Sequence, residues 1–147
     1  MTGVLEAGDN FGAQVPAANA APGAVSSANN TLVVIGIPGE GIGTAADAGS
    51  VEVFSLLGAP GDGAVVVEPG KVGLPGTSGA KQKPGASMYA AGAHLYLGRP
   101  GGPAPYGSVH TVPWGNIADA ANGSVATYEP GKGGLPAAGA TFGAVIR

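Results

Sequence analysis

Cysteine is absent from the 147 residues, so no disulfide, thiolate metal site or thiol nucleophile can form. Charge is scarce as well. Six Lys and Arg face nine Asp and Glu, for a net −3, and the basic residues are scattered. A chain that holds nucleic acid or an anionic membrane surface concentrates its cations, so neither partner is expected. Lys81-Gln82-Lys83 is a small cluster that reads as a solvated loop. No apolar run approaches the roughly 18–20 residues that span a bilayer, and no membrane span is expected. Residues 1–20 show neither a basic n-region nor an apolar h-region, so this stretch predicts no signal peptide.

Gly (29) and Pro (13) are abundant, a composition for which disorder must be weighed. Against it stand a hydrophobic fraction of 44% and a charged fraction of 10%, the reverse of the usual disordered balance. The runs Thr31–Ile37, Val51–Leu57 and Ala64–Val67 are rich in β-formers, with Gly and Pro between them where turns need them. An all-β chain of many short strands is expected.

The chain repeats. Glu68-Pro69-Gly70-Lys71-Val72-Gly73-Leu74-Pro75 recurs as Glu129-Pro130-Gly131-Lys132-Gly133-Gly134-Leu135-Pro136, an offset of 61. Gly36-Ile37-Pro38-Gly39 recurs as Gly98-Arg99-Pro100-Gly101, and Gly49-Ser50-Val51 as Gly107-Ser108-Val109. Phe11-Gly12-Ala13 returns as Phe142-Gly143-Ala144, about two repeats later. Each repeat reads as four strands. The first has Phe11–Val15, a loop through Asn30, Thr31–Ile37, Ser50–Leu56 and Ala64–Glu68; the second has Ala86–Ala90, His94–Gly98, Ser108–Val112 and Ser124–Glu129. Asp62-Gly63 and Asn122-Gly123 are turn dipeptides before each fourth strand. Thr141–Arg147 starts a third repeat with one strand. The expected division is 1–72, 73–133 and 134–147.

Four short antiparallel strands per repeat fit propeller blades. Phe11-Gly12, Gly36-Ile37-Pro38 and Ala46-Asp47-Ala48-Gly49-Ser50-Val51-Glu52-Val53-Phe54 resemble the FG-GAP repeat of integrin α-subunits and bacterial extracellular proteins. The second repeat has Pro84-Gly85 where Phe-Gly is expected, and the third keeps only Phe142-Gly143. The resemblance implies a β-propeller, extracellular in its parent protein, serving adhesion or ligand binding without catalysis. Small residues at Gly12, Ala13, Gly36, Gly85 and Ala86 are expected to let backbones approach. Phe11, Phe54, Phe142 and Trp114 are expected to fill the space between blades. Two blades and a strand do not close a ring, and repeat architectures need about three or more units. A homo-oligomer, or completion by missing blades of a parent chain, is therefore expected.

The family often carries a calcium loop between strands one and two. Here Pro16–Asn30 holds no Asp or Glu, and Ca²⁺ needs carboxylate oxygens, so no cofactor is carried over. Gly41-Ile42-Gly43-Thr44-Ala45-Ala46 fits a dinucleotide fingerprint, yet no helix has room to follow it before Gly49. Ser87 fails the nucleophile-elbow pattern, and His94 and His110 fall in strands without evident partners. No enzyme is expected. Asn29-Asn30-Thr31 and Asn122-Gly123-Ser124 fit the glycosylation sequon, which matters only in a eukaryotic secretory host. The candidate binding residues lie in or beside the loops joining strands two and three: Glu40, Thr44, Asp47, Arg99 and Tyr106. The alternatives are a polymer-forming structural subunit and an accessory module of a secreted enzyme.

Overall fold

The computed structural model describes residues 6–137 and 141–147. It holds two four-stranded antiparallel sheets, each a simple meander. The first runs β1 (Ala17–Asn19), β2 (Thr31–Ile37), β3 (Ser50–Ser55), β4 (Val65–Val67). The second runs β5 (Ser87–Ala91), β6 (His94–Arg99), β7 (Ser108–Pro113), then a short helix α1 (Trp114–Ala118), then β8 (Ala126–Tyr128). The all-β class holds, and each sheet matches one sequence repeat. Short fourth strands limit the unpaired backbone that each sheet edge presents.

The inner strands follow the sequence closely, because β-branched runs bounded by glycine leave little choice of register. Strand one of the first repeat differs. Regular pairing begins at Ala17 rather than Phe11, with Ala17 opposite Val33. Residues 12–16 still run beside β2: Gly12 N–H donates to Gly36 O (3.0 Å), Gly36 N–H to Gln14 O (2.9 Å) and Val34 N–H to Pro16 O (3.0 Å). The loop beyond β1 is closed by two asparagines acting as backbone mimics. Asn19 Oδ1 accepts from Ala21 N–H at 2.8 Å, and Asn30 Oδ1 from Ser27 N–H at 2.8 Å. Thr141–Arg147 forms no strand; Phe142 makes one parallel bridge to Gly107.

Side chains alternate across a strand, so each sheet has two faces. Val34, Val51, Val53 and Val67 of the first sheet pack on Met88, Leu95, Leu97 and Val112 of the second, with Leu74, Trp114 and Ile117 completing one core. Of the four aromatics expected between sheets, only Trp114 is buried there (2% exposed). Phe11 is 45% exposed, and Phe54 and Phe142 are half-buried. The junction is aliphatic because strand alternation turns Phe54 to the opposite face from Val53.

Helix α1 was not legible in the sequence. A single turn with Gly115 as its second residue has little intrinsic helicity. Packing and hydrogen bonds hold it: Trp114 Nε1–H donates to Gly92 O (3.2 Å), and Asn116 Nδ2–H donates to Val72 O (3.1 Å) and Gly123 O (2.9 Å).

The backbones meet through glycine, as expected. A Cβ at Gly36 would lie 2.2 Å from Gly85 O, and one at Gly98 would lie 2.0 Å from Gly143 O. These are the same contact one repeat apart. Phe142-Gly143 thus sits on the second sheet as Pro84-Gly85 sits on the first.

Candidate functional site

The two β2–β3-type loops lie side by side at one end of the sheets. The linker between repeats joins them: Lys81 N–H donates to Ala46 O (3.0 Å), and Gly101 N–H donates to Gln82 O (3.1 Å). The first loop is internally braced. Ile42 and Ala45 exchange backbone bonds of 3.1 and 3.0 Å, and Gly49 N–H donates to Glu40 O at 2.9 Å. A braced hairpin presents its side chains at a fixed angle, which lowers the ordering cost of a contact.

Glu40, Thr44 and Asp47 share this first loop. Thr44 is exposed, while Glu40 and Asp47 are half-buried. Asp47 adopts φ of 49°, a left-handed turn that Asp tolerates better than most residues. Burial first, and then the negative field of Asp9, Glu6, Glu52 and Glu68, raise the Glu40 carboxyl above the usual carboxylate range. Tyr106 stands on the second loop, 52% exposed with φ of 76°.

Arg99 lies apart from these four. Its side chain has no exposed surface. The guanidinium donates to Pro75 O (3.1 Å), Thr77 O (3.1 Å) and Gln82 Oε1. Gln82 in turn accepts from Gly79 N–H at 3.0 Å. Arg99 therefore fastens the linker between repeats rather than reaching the loop surface. Burial lowers its pKa from the ordinary guanidinium value.

Sequence reasoning found no evident partner for His110, which the structure places in a polar chain. Its Nε2 lies 2.9 Å from Ser108 Oγ, and its Nδ1 lies 2.9 Å from Thr127 Oγ1. Burial, reinforced by the positive Arg99 and opposed by Glu129, lowers its pKa to about 4. A neutral imidazole between two hydroxyls satisfies both ring nitrogens in either tautomer. The only sequence signal was spacing: Ser108 and His110 lie two apart on one strand. Ser108 is fully buried and His110 1% exposed, so the pair is closed to a substrate. Lys81 and Lys83 are exposed, as a solvated loop requires.

Among the described residues, no group of three His, Cys, Asp or Glu is placed to hold a metal, and no helix is long and apolar enough to cross a membrane. A cleft of about 380 Å³ lies on the outer face of the first sheet, lined by Phe11, Ile35, Glu52, Phe54 and the turn Pro60–Asp62. A second, of about 340 Å³, lies at the junction between Asn10–Ala13, Pro38 and Ala86. Neither includes the four loop residues. No protein-family model matches this chain, and no curated protein matches it.

Proposed function

We propose that this chain is a pair of propeller blades serving as a non-catalytic scaffold for extracellular adhesion or ligand binding. The repeated glycine junction carries the reading. Gly36 on Gly85 and Gly98 on Gly143 set successive units against one another in the same way, which is how radial repeats grow. The FG-GAP resemblance agrees with it, since Gly143 of the recurring Phe142-Gly143 meets Gly98 as Gly85 meets Gly36. The buried Ser108–His110 pair, which reaches the surface only through Thr127, supports a structural rather than catalytic use of the one histidine set among hydroxyls.

Recognition is assigned to the paired loops, through Glu40, Thr44, Asp47 and Tyr106. The test is binding of the immobilised chain to a panel of matrix proteins and cell-surface glycans. The comparison is a variant carrying Glu40→Ala, Thr44→Ala, Asp47→Asn and Tyr106→Asn. Asn is chosen at the last two positions because it accepts their positive φ. Binding to a panel member that the variant loses at unchanged Tm supports the reading. Binding that survives the four changes, or no binding at all, defeats it.

A further inference from the structure

We infer that the outer face of the second sheet docks the outer face of the first sheet of another copy, head to tail. The inference rests on the blade reading and names the partner that completes it. The internal junction supplies the template. By register, Ile35 and Phe54 of the first sheet hold the positions that Leu97 and Val112 hold in the second. Leu97 and Val112 are fully buried against the first sheet, whereas Phe54 is only half-buried and lines a surface cleft with Ile35, itself 9% exposed. Similarly Val34 and Val67, buried in the junction, correspond to Tyr96 and Tyr128 on the outer face of the second sheet, where Tyr128 is 45% exposed.

The repeated Leu-Pro motif shows the same asymmetry. Both copies make the same inner turn, with Leu74 N–H donating to Lys71 O (2.8 Å) and Leu135 N–H to Lys132 O (3.1 Å), while Gly70 N–H closes the first on Leu74 O and Gly131 N–H closes the second on Pro136 O. Both carry a Lys–Glu ion pair. Yet Leu74 is 1% exposed in the core, and Leu135 is only half-buried. Leu74 is covered by a neighbouring sheet; Leu135 has the same geometry without that cover. One face of this chain thus presents what the other face is built to meet, and the interface continues one that already exists within the chain.

The C-terminal segment takes part. Phe142 N–H donates to Tyr106 O, and Ile146 N–H to Ser87 Oγ (2.6 Å), holding the segment where the first strand of the docked unit belongs. The docked copy carries the identical Phe11-Gly12-Ala13 at that position. The C-terminal triplet keeps the place and pairs with the neighbour's β2, releasing the neighbour's residues 11–16. Contacts of this heterologous kind close into rings where the rotation between units closes, as it does in propellers. Propellers of about four to eight blades correspond to about two to four copies.

The experiment uses the full chain. Light scattering after gel filtration, over a concentration series, is expected to give one finite species at an integer multiple of 13.9 kDa. Tyr128→Arg blocks one face and Phe54→Arg the other, with Phe11→Arg as a more exposed substitute for the second. Each is expected to remain monomeric alone, and the two mixed are expected to form a 1:1 dimer and nothing larger. In the cysteine-free background, Ile35→Cys/Ile146→Cys is expected to link copies by disulfides, since two sheets separate these positions within one chain. A monomeric wild type, or variants that assemble as the wild type does, overturns the docking; assembly without that disulfide overturns the strand exchange. Hydrogen exchange on the same samples separates the two readings. Slow amides in β2, β3, β6 and β7 of a monomer leave the blade reading standing, and fast ones remove it as well.

Discussion

Replacing Gly36 by Ala should separate the two sheets. The new Cβ would stand 2.2 Å from Gly85 O and 3.0 Å from both Gly85 C and Met88 Cε. Only the methionine methyl can move cheaply. The approach is close from both sides, since a Cβ added at Gly85, whose φ is 86°, would stand 2.9 Å from Ser50 O and 3.0 Å from the Gly36 Cα. Overpacking against side chains costs about 1–3 kcal/mol, and a backbone obstacle places this case at the upper end, about 3 kcal/mol. For a chain of this size that corresponds to a fall in Tm of roughly 6–12 °C. Trp114, the sole tryptophan, is 2% exposed in the core between the sheets, so its fluorescence reports the junction directly. The control is Gly41→Ala. Its Cβ would meet nothing nearer than Ala45 O at 3.9 Å, and a compatible Gly→Ala change stabilises by about 0.4–1 kcal/mol through the unfolded chain. If Gly36→Ala melts within 2 °C or so of Gly41→Ala, the junction is not the close backbone contact described.

Two further outcomes follow. His110 is held neutral, with its pKa lowered to about 4 from 6.5, so the unfolded chain binds the extra proton between those values. Its contribution is complete above pH 6.5 and is lost as pH falls toward 4. The full shift corresponds to about 3 kcal/mol. Urea melts of wild type and His110→Gln should therefore converge across that window; parallel curves would contradict the buried neutral ring. Leu74→Ala should cost about 2–5 kcal/mol, whereas Leu135→Ala in dilute solution should cost about 0.5 kcal/mol or less. Equal losses in chemical denaturation would mean that the two motif copies are equally covered.

The strands were the most legible part. Thr31–Ile37 and the starts of Ser50–Ser55, His94–Arg99 and Ser108–Pro113 are written in local pattern, since β-branched runs between glycines admit one strand register. The turns at Glu68–Leu74 and Glu129–Leu135 are local as well, and the near-identical motifs share their inner turn bonds, Lys71 N–H to Glu68 O and Lys132 N–H to Glu129 O among them. The glycine contacts were readable in kind, though not in partner.

The candidate site was readable only as far as its loops. Glu40, Thr44, Asp47 and Tyr106 stand where a strand-loop-strand pattern puts them, because such loops stay at the surface. Arg99 sits in the same repeat unit, and nothing in its neighbours foretold that it turns inward to Pro75, Thr77 and Gln82. That placement depends on residues 17–24 positions away. His110 and α1 failed for the same reason, since their partners Thr127 and Val72 lie 17 and 44 residues distant.

Sequence alone thus determined the inner strands, their repeat and the small residues where backbones touch, because each is fixed within a few residues of chain. Only tertiary structure decided which copy of a repeated motif is covered. Leu74 and Leu135 are the same residue in the same turn, and burial belongs to the neighbour across the gap, not to the motif itself.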